Sequence, residues 1–291
     1  MLIWLASYPR SGNTWLRLML HDILTDGQSR PGGRAARNSF APIVSSRSFI
    51  ERQTDVQTSD LNDRELHACR RAAHEIAAGK AAAPFFVKVH DNHQPVGAGE
   101  DGLFSPAAGS LAIYLLRDPA DVAVSLAGFA GIDLPRAVDI LCDDRASRSH
   151  ITRQPHHDQV AYHLGRWSSH VGSWLVRPAD QVLRIRYEDM HRDPAAQLRV
   201  VIDRLKLDIS GDRIEAAVER TRFDHLSRQE RRHGFNEAPA GGIFFRGGRI
   251  GDGRRLLSDA DFARLVAANG AVMTAQGYAV TRPETRPETS R

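Results

Sequence analysis

The sequence predicts one α/β domain: a doubly wound parallel sheet of four to five strands, flanked by helices. Three observations carry that prediction. Four short runs rich in Ile, Leu, Val and aromatic residues read as strands buried on both faces, namely LIWLAS (2–7), FFVKVH (85–90), LAIYLLR (111–117) and QVLRIRY (181–187). Three of them lead directly into helix-start signals, and such alternation builds a parallel sheet through right-handed crossovers. A chain of 291 residues suffices for one sizeable α/β domain or at most two small ones.

The first run leaves its strand through Tyr8-Pro9-Arg10-Ser11-Gly12-Asn13-Thr14 and enters a helix with Leu16, Met19, Leu20, Ile23 and Leu24 on one face. Residues 25–60 are rich in Gly, Ser and Arg without a clean period, and read as a mobile loop or lid walling a substrate pocket. After the third run, Asp118 takes the N-cap and Pro119 the first helical position of RDPADVAVSLAGF, as helix starts prefer. Asp193 and Pro194 repeat the device in HRDPAAQLRVVIDRL, where Leu198, Val201, Ile202 and Leu205 recur at helical spacing. Residues 231–256 are again rich in Gly and Arg, and Ser258 caps a last helix with Phe262, Leu265, Val266 and Met273 inward. The ending TRPETRPETSR is a polar tandem repeat, so the domain is taken as 1–280 and the tail 281–291 as disordered.

With 42% hydrophobic and 25% charged residues, the composition is that of an ordinary soluble globular protein. The formal charge is +4 and the pI about 9.4, with Lys80, Lys88 and Lys206 the only lysines. Arginine prefers planar, bidentate partners such as phosphate and sulfate, so the bias hints at anionic ligands, although a GC-rich genome favouring Arg codons accounts for more than half of it. Cys69 and Cys142 cannot form a disulfide framework, and no C-x-x-C spacing exists. No run approaches the ~18 apolar residues of a membrane span, and the opening strand is too short, and lacks the basic lead, for a signal peptide. A soluble cytoplasmic protein is expected, with neither membrane nor nucleic acid as partner.

In open parallel sheets, ligands sit beyond the carboxyl ends of the strands. Arg10 to Thr14 follow the first run, Lys88 and His90 close the second, Arg117 closes the third and Tyr187 the fourth. Gly12 permits close backbone approach, and the N–H groups of Gly12 to Trp15 are expected to point at an anion on the helix dipole. Arg10, Ser11 and Thr14 would complete the cradle, although an ordinary βα turn explains the loop alone. G-x-x-x-x-G-K-[ST] is absent, and no acidic residue closes a following strand to hold Mg²⁺. Lys88 and His90, two apart in a strand, share a face and point into one cleft mouth. Ser125 falls near Val122 and Phe129 on the packed side of its helix, where a hydroxyl needs a partner; a phosphate held by Arg117 would supply one. The alternatives are a small residue easing helix packing, and an Arg117 that merely pairs with Asp118 or Asp121. His156, His157, His163 and His170 lack a completing carboxylate or Cys, and read as a solvated stretch rather than a metal site.

Taken in order, these stretches resemble the PAPS-dependent sulfotransferases, PAPS being 3′-phosphoadenylyl sulfate. YPRSGNTW is similar to the family's 5′-phosphosulfate loop, Y-P-K-[SA]-G-[TN]-T-W. RDPADVAVS is similar to its 3′-phosphate motif, an Arg at a strand end with a Ser eight positions later, and VKVH to its K-x-H, whose His is the general base. RYEDM, ERTRFDHL and FFRGGRIGDG follow, the last similar to F-x-R-K-G-x-x-G-D-W, so the resemblance runs from about residue 2 to 257.

The resemblance implies a P-loop-like fold and transfer of a sulfuryl group from PAPS, released as PAP, with no metal. The acceptor would present a hydroxyl (or amine); compact size and a cytosolic address favour a small molecule such as a phenol, an alcohol or a natural-product scaffold over a secretory-pathway polysaccharide, with an intracellular peptide or glycopeptide natural product as the alternative. His90 is then the general base, with Lys88 and Arg10 stabilising charge on the transferring group. Arg10, Ser11, Gly12, Asn13 and Thr14 match the 5′ end of the donor. Arg117, Ser125, Arg246, Gly247 and Gly248 match its 3′-phosphate, and Trp15, Tyr187, Thr221 and Phe223 the adenine and its surroundings. Three positions depart from the family pattern: Arg10 stands for the loop Lys, Gly247 for the Lys of R-K-G and Gly253 for the Trp of G-D-W. Arg249, Arg254 and Arg255 lie near enough in sequence to compensate. Arg cannot release a proton, but a phosphate leaving group needs charge stabilisation rather than protonation, so activity is expected to survive.

Two other readings fit parts of the pattern. A P-loop kinase-like phosphotransferase is disfavoured by the missing Walker Lys and Mg²⁺ carboxylate, and strict Mg²⁺ dependence would mark it. A non-catalytic binder of anionic polymers would carry its arginines in one stripe, whereas these sit at strand ends beside His90. Segments 25–60, 91–108, 130–160 and 230–245 are expected to shape the acceptor pocket. The dimerisation motif of the animal cytosolic members is not visible, which leaves the oligomeric state open.

Overall fold

Strand β1 (Leu2–Ser7) has no solvent face: all six of its residues are buried. It lies between β2 (Phe85–Val89) and β3 (Leu111–Leu116), and β4 (Val182–Arg186) extends the sheet beyond β3. All pairs are parallel, in the order β2-β1-β3-β4. The computed structural model describes residues 1–27, 40–93, 111–151, 158–235, 237–238 and 242–282. In chain order the helices are α1 (Asn13–Leu24), α2 (Arg47–Thr54), α3 (Asp63–Lys80), α4 (Pro119–Ala130), α5 (Leu134–Cys142) and α6 (Arg148–Ile151). They continue as α7 (Trp167–Leu175), α8 (Tyr187–Arg192), α9 (Pro194–Arg204), α10 (Gly211–Arg220), α11 (Phe223–His233), α12 (Asp252–Leu256) and α13 (Asp259–Ala275).

The two-residue period of a strand sorts side chains onto two faces. Leu2, Trp4 and Ala6 join Ala112, Tyr114 and Leu116 in one apolar layer, while Ile3, Leu5, Leu111, Ile113 and Leu115 lie in the other. Helix α1 follows β1 onto the second layer through Leu16, Met19, Leu20 and Ile23. Helix α4 follows β3 onto the first through Ala120, Val122, Ala123 and Leu126. Neighbouring strands that send their helices to opposite faces leave a crevice at their carboxyl ends, where α/β proteins bind ligands. The crevice here opens between β1 and β3. The sequence-derived caps hold: Asp118 accepts from Ala120 N at 2.9 Å, Asp193 from Ala196 N at 2.9 Å and Ser258 from Asp261 N at 3.1 Å.

Several expectations are corrected. His90 and Arg117 lie just past their strands, and Tyr187 opens α8 rather than closing β4. Within 25–60, residues 28–39 lie outside the described residues, but 40–60 is built rather than loose. Val44 N donates to Lys88 O at 3.0 Å and Lys88 N to Pro42 O at 2.9 Å, which lays this segment along the edge of β2. Ser46 caps α2 through Phe49 N at 3.1 Å, and Phe49 and Ile50 enter the core. Eight residues with two adjacent buried positions make too short a repeat to register as a helix period. His170, expected on a solvated stretch, is buried, and His156 and His157 lie outside the described residues. In the tail, Thr281 O accepts from Arg254 at 3.0 Å and Arg282 pairs with Asp259 at 3.1 Å, while 283–291 lie outside the described residues. Among the described residues no helix is long and apolar enough to cross a membrane.

Candidate active site

A cavity of about 520 Å³ lies over the carboxyl ends of the strands. Its floor is the loop after β1. Arg10 takes a left-handed φ of 71° and Gly12 one of 98°, and a Cβ on Gly12 would stand 2.6 Å from the Tyr187 ring. Only glycine fits there. Trp15 N and Leu16 N donate to Gly12 O at 3.0 and 3.2 Å. The amides of Asn13 and Thr14 are therefore left without helical acceptors at the positive end of α1. The Trp15 amide, expected in the cradle, is used inside the helix.

Lys88 and His90 both line this cavity, as their spacing predicts. His90 Nδ1 lies 2.8 Å from Ser7 O. A carbonyl only accepts, so Nδ1 carries the proton and Nε2 keeps the lone pair. Burial, the Lys88 ammonium and His170 hold the His90 imidazole well below its usual value, against the Ser7 carbonyl bond, which raises it. His90 is thus a neutral base at pH 7. His170 supports it from below: its Nε2 donates to His90 O at 3.1 Å while Nδ1 accepts from Tyr114 OH at 2.9 Å. The Lys88 ammonium is pulled down by burial and by the cations Arg17 and Arg10. Its Nζ is 3.0 Å from Glu237 Oε2, which opposes that shift.

On the β3 side, Arg117 stacks 4.2 Å over the Tyr187 ring and donates to Arg10 O and Arg249 O, each at 3.0 Å. It bonds to neither Asp118 nor Asp121. Ser125 faces the cavity, and its Oγ accepts from Arg10 Nε at 3.2 Å. The Arg10 guanidinium is held between Phe129 and Phe244, 4.5 and 4.3 Å from the ring centroids. Burial, with Arg117 and Arg246 close by, pushes Arg10 down to about 9. Glu230 fixes the aromatic side of this clamp by accepting from Phe244 N at 2.6 Å and Phe245 N at 2.8 Å.

Arg10, Gly12, Asn13, Thr14, Trp15, Lys88, His90, Arg117, Ser125, Tyr187, Phe223, Arg246, Gly247 and Gly248 all line the one cavity. Ser11 and Thr221 do not. Ser11 is buried within the loop, and Thr221, which caps the end of α10, donates through Oγ1 to Ala217 O at 2.7 Å while its carbonyl accepts from Trp15 Nε1 at 3.0 Å. Of the three arginines expected to compensate for Gly247 and Gly253, only Arg249 lines the cavity. Arg254 is tied to Asp118 at 2.9 Å and Arg255 to Asp252 at 3.0 Å.

Two carboxylates escaped sequence reasoning. Asp121 accepts from Gly251 N at 2.8 Å and Gly253 N at 2.7 Å, pinning the glycine-rich loop to α4. Glu237 accepts from Thr14 Oγ1 and Lys88 Nζ, both at 3.0 Å, and pairs with Arg17. The second Asp of RDPAD was the visible signal for the first; Glu237, in a Gly- and Arg-rich stretch, had none. Among the described residues no group of three or more His, Cys, Asp or Glu side chains gathers as a metal site would require.

An amide cradle at the start of a helix, several guanidiniums and a neutral imidazole thus gather around one crevice whose chemistry suits an anionic ligand. The chain belongs to the sulfotransferase family, whose model, described as the sulfotransferase domain, matches residues 2–273. Over 223 residues it is 24% identical to Sulfotransferase 1A1 of Rattus norvegicus, covering 76% of this chain and 65% of that protein. Over 290 residues it is 23% identical to Cytosolic sulfotransferase 17 of Arabidopsis thaliana, covering 89% of this chain and 70% of that one. The chain thus spans about two thirds of the length of these relatives. Its fold is similar to that of a retinol dehydratase crystallised with androsterone and the inactive cofactor PAP, with a TM-score of 0.60, 20% identity and coverage of 98% and 83% of the two chains. It is also similar to mouse sulfotransferase SULT7A1 complexed with PAP, with a TM-score of 0.56, 18% identity and coverage of 96% and 89%.

Proposed function

We propose that the chain, through a domain spanning 1–280, moves the sulfuryl group of PAPS to a hydroxyl (or amine) of a small-molecule acceptor in the cytoplasm, with His90 as general base. The observation that carries this reading is the convergence of His90, Lys88 and the start of α1 on one cavity. The residues fit the donor. Among the described residues Arg117 Nε is buried without a partner and the Asn13 and Thr14 amides have no acceptor, while Arg117 and Arg246 both repel Arg10. Anionic groups would relieve all three. The name of the Arabidopsis relative supports the cytoplasmic address, and the androsterone bound to the retinol dehydratase supports a small acceptor.

When bound, PAPS supplies an activated sulfuryl group on a phosphate leaving group, together with a separate 3′-phosphate. The Asn13 and Thr14 amides and the Thr14 hydroxyl would hold the 5′ end, where the helix dipole favours negative charge. Lys88 stabilises charge on the transferring group, and Arg10 balances charge between the two ends. Arg117, Ser125, Arg246 and the backbone of Gly247 and Gly248 would hold the 3′-phosphate, with Trp15, Tyr187 and Phe223 walling the adenine. His90 takes the acceptor's proton at Nε2, the lone pair that the Ser7 carbonyl leaves free.

His90→Ala is expected to lower turnover by at least ~10²-fold, while calorimetry with PAP in EDTA gives an affinity within about 2-fold of wild type. Undiminished turnover in the variant, or no heat of PAP binding to wild type, overturns the reading.

A further inference from the structure

Beyond Lys88 and His90 the cavity continues into walls that the donor contacts do not use. Segment 42–44 runs along β2 and brings Ile43 to the lining. Gln159 is fixed by its bridge to Ser46, and Arg148 N donates to Tyr162 O at 3.2 Å. Ile43, Arg148, Ile151, Gln159 and Tyr162 line this β2 side, opposite the residues that follow β3.

Arg148 differs from the other cations of the cavity on this side. Lys88 has Glu237, 3.0 Å away. The Arg148 guanidinium has no hydrogen-bond or ion-pair partner among the described residues, and its Nη2 is fully enclosed. Asp91, which like Arg148 lies near Tyr162, is engaged with Arg70 at 2.7 Å. Burial pulls Arg148 below its ordinary value, as expected of a cation without a counter-charge. An enclosed guanidinium N–H left unpaired is costly, and the planar fork of Arg matches a carboxylate in a bidentate way. A doubly charged phosphate would need more than one cation. The flanking Ile43 and Ile151 suit an apolar frame behind a single charge.

We propose that the acceptor carries a carboxylate in addition to the hydroxyl it presents to His90, and that Arg148 receives this carboxylate. The proposal rests on the sulfotransferase reading above. The partnerless cation lies on the acceptor side of His90, while Arg117 and Arg246 serve the donor side. Arg148 is then a specificity-determining residue: it selects acceptors by charge and takes no part in the proton transfer.

Three phenols on one frame test this: 4-hydroxyphenylacetate, its amide and tyramine, which present an anion, a neutral group and a cation. Sulfuryl transfer from PAPS is followed as kcat/KM, and binding to the enzyme–PAP complex by calorimetry. Wild type is expected to favour the carboxylate over the amide by roughly 10- to 100-fold, the factor of one charge-assisted hydrogen bond, and to accept tyramine least. Arg148→Gln should bring the carboxylate-to-amide ratio to within about 2-fold of unity, with PAP affinity unchanged, which also reports correct folding. Arg148→Lys should restore part of the preference. Equal treatment of the three phenols by wild type in both measurements, including no binding of any, overturns the proposal, as does a preference that survives in Arg148→Gln. PAP binding by wild type separates the two levels: without it the sulfotransferase reading fails, and with it only the carboxylate acceptor is lost.

Discussion

Replacing Glu237 by Gln is expected to tighten the binding of PAPS. In the protein alone, Glu237 Oε2 accepts from Lys88 Nζ and Thr14 Oγ1, both at 3.0 Å, and Oε1 accepts from Arg17. Lys88 and Thr14 are two of the groups proposed to meet the donor's own anionic oxygens, so the carboxylate must give up both contacts before they can turn to PAPS. Hydrogen bonds to charged groups are worth ~1.5–3 kcal/mol against ~0.5–1.5 for neutral ones. The neutral amide therefore lowers the displacement cost by about 1 kcal/mol per contact, or about 2 kcal/mol in all, before relaxation. A net gain of about 5- to 30-fold in donor affinity follows. The same change removes the counter-charge of buried Lys88 and Arg17, so the ligand-free variant should melt lower. By linkage, the rise in Tm on adding PAPS should then be larger than in wild type. Calorimetry with PAPS in the absence of acceptor, together with melting with and without it, reads both effects. Unchanged or weaker PAPS affinity would refute the reasoning, because it would mean that Glu237 keeps its place when the donor is bound.

Three further outcomes are expected. His170 is fully buried, and burial pushes its pKa down to about 4 from 6.5. A depressed folded-state pKa means that the unfolded chain binds more protons below pH 6.5. Stability is then flat above that pH and falls below it by about 1.4 kcal/mol per unit for this group, or about 2 kcal/mol at pH 5. Urea midpoints at pH 5 and 7 check this, and a flat profile would contradict it. His90, held low by the same cause, should keep the acid limb of kcat/KM below pH 6.5. Gly253→Ala would place a Cβ 2.1 Å from the Ala120 carbonyl carbon, and helix backbone cannot yield. A loss of at least 1–3 kcal/mol on thermal melting is expected, roughly the cost of overpacking. Asp121→Asn should weaken PAP binding more than 5′-AMP binding, since it releases one of the two amides, at 2.8 and 2.7 Å, that hold the loop proposed to frame the 3′-phosphate; equal weakening of both ligands would show a general effect on folding.

The sheet was legible because β1 and β3 are buried on both faces, which leaves short continuous apolar runs bounded by turn and helix-start signals. The start of α1 was legible because its turn needs glycine at one place, and the helix caps because their chemistry is local. Where the sequence misled, the cause was distance along the chain. Asp121 reaches amides 130 and 132 residues away, and Glu237 reaches Lys88 across 149. No local pattern encodes such pairs. Arg10 was expected to face the transferring group, yet two aromatic rings from separate segments turn its guanidinium toward Ser125. Segment 40–60 looked loose because its order comes from pairing with the edge of β2, a contact that composition does not show.

The departures of the glycine-rich loop from the family pattern then have a physical reason. Where the resemblance leads one to expect Trp, Gly253 lies so close to the backbone of α4 that no side chain fits, and its amide is held by Asp121 at 2.7 Å. At the N-cap of the same helix, Asp118 Oδ2 holds Arg254 at 2.9 Å, and Arg254 in turn binds the carbonyls of Ala279 and Thr281 at 2.6 and 3.0 Å. The loop and α12 are thus fastened to the start of α4 by two carboxylates. The fastening reaches the ligand side, since Arg249 O and Gly248 O accept from Arg117 and Tyr187 OH, each at 3.0 Å. Losing the Lys of the R-K-G pattern removes a charge, but the backbone beside Arg117, proposed to frame the 3′-phosphate, is held in place by these contacts, and Arg246 and Arg249 bring positive charge to the lining of the cavity.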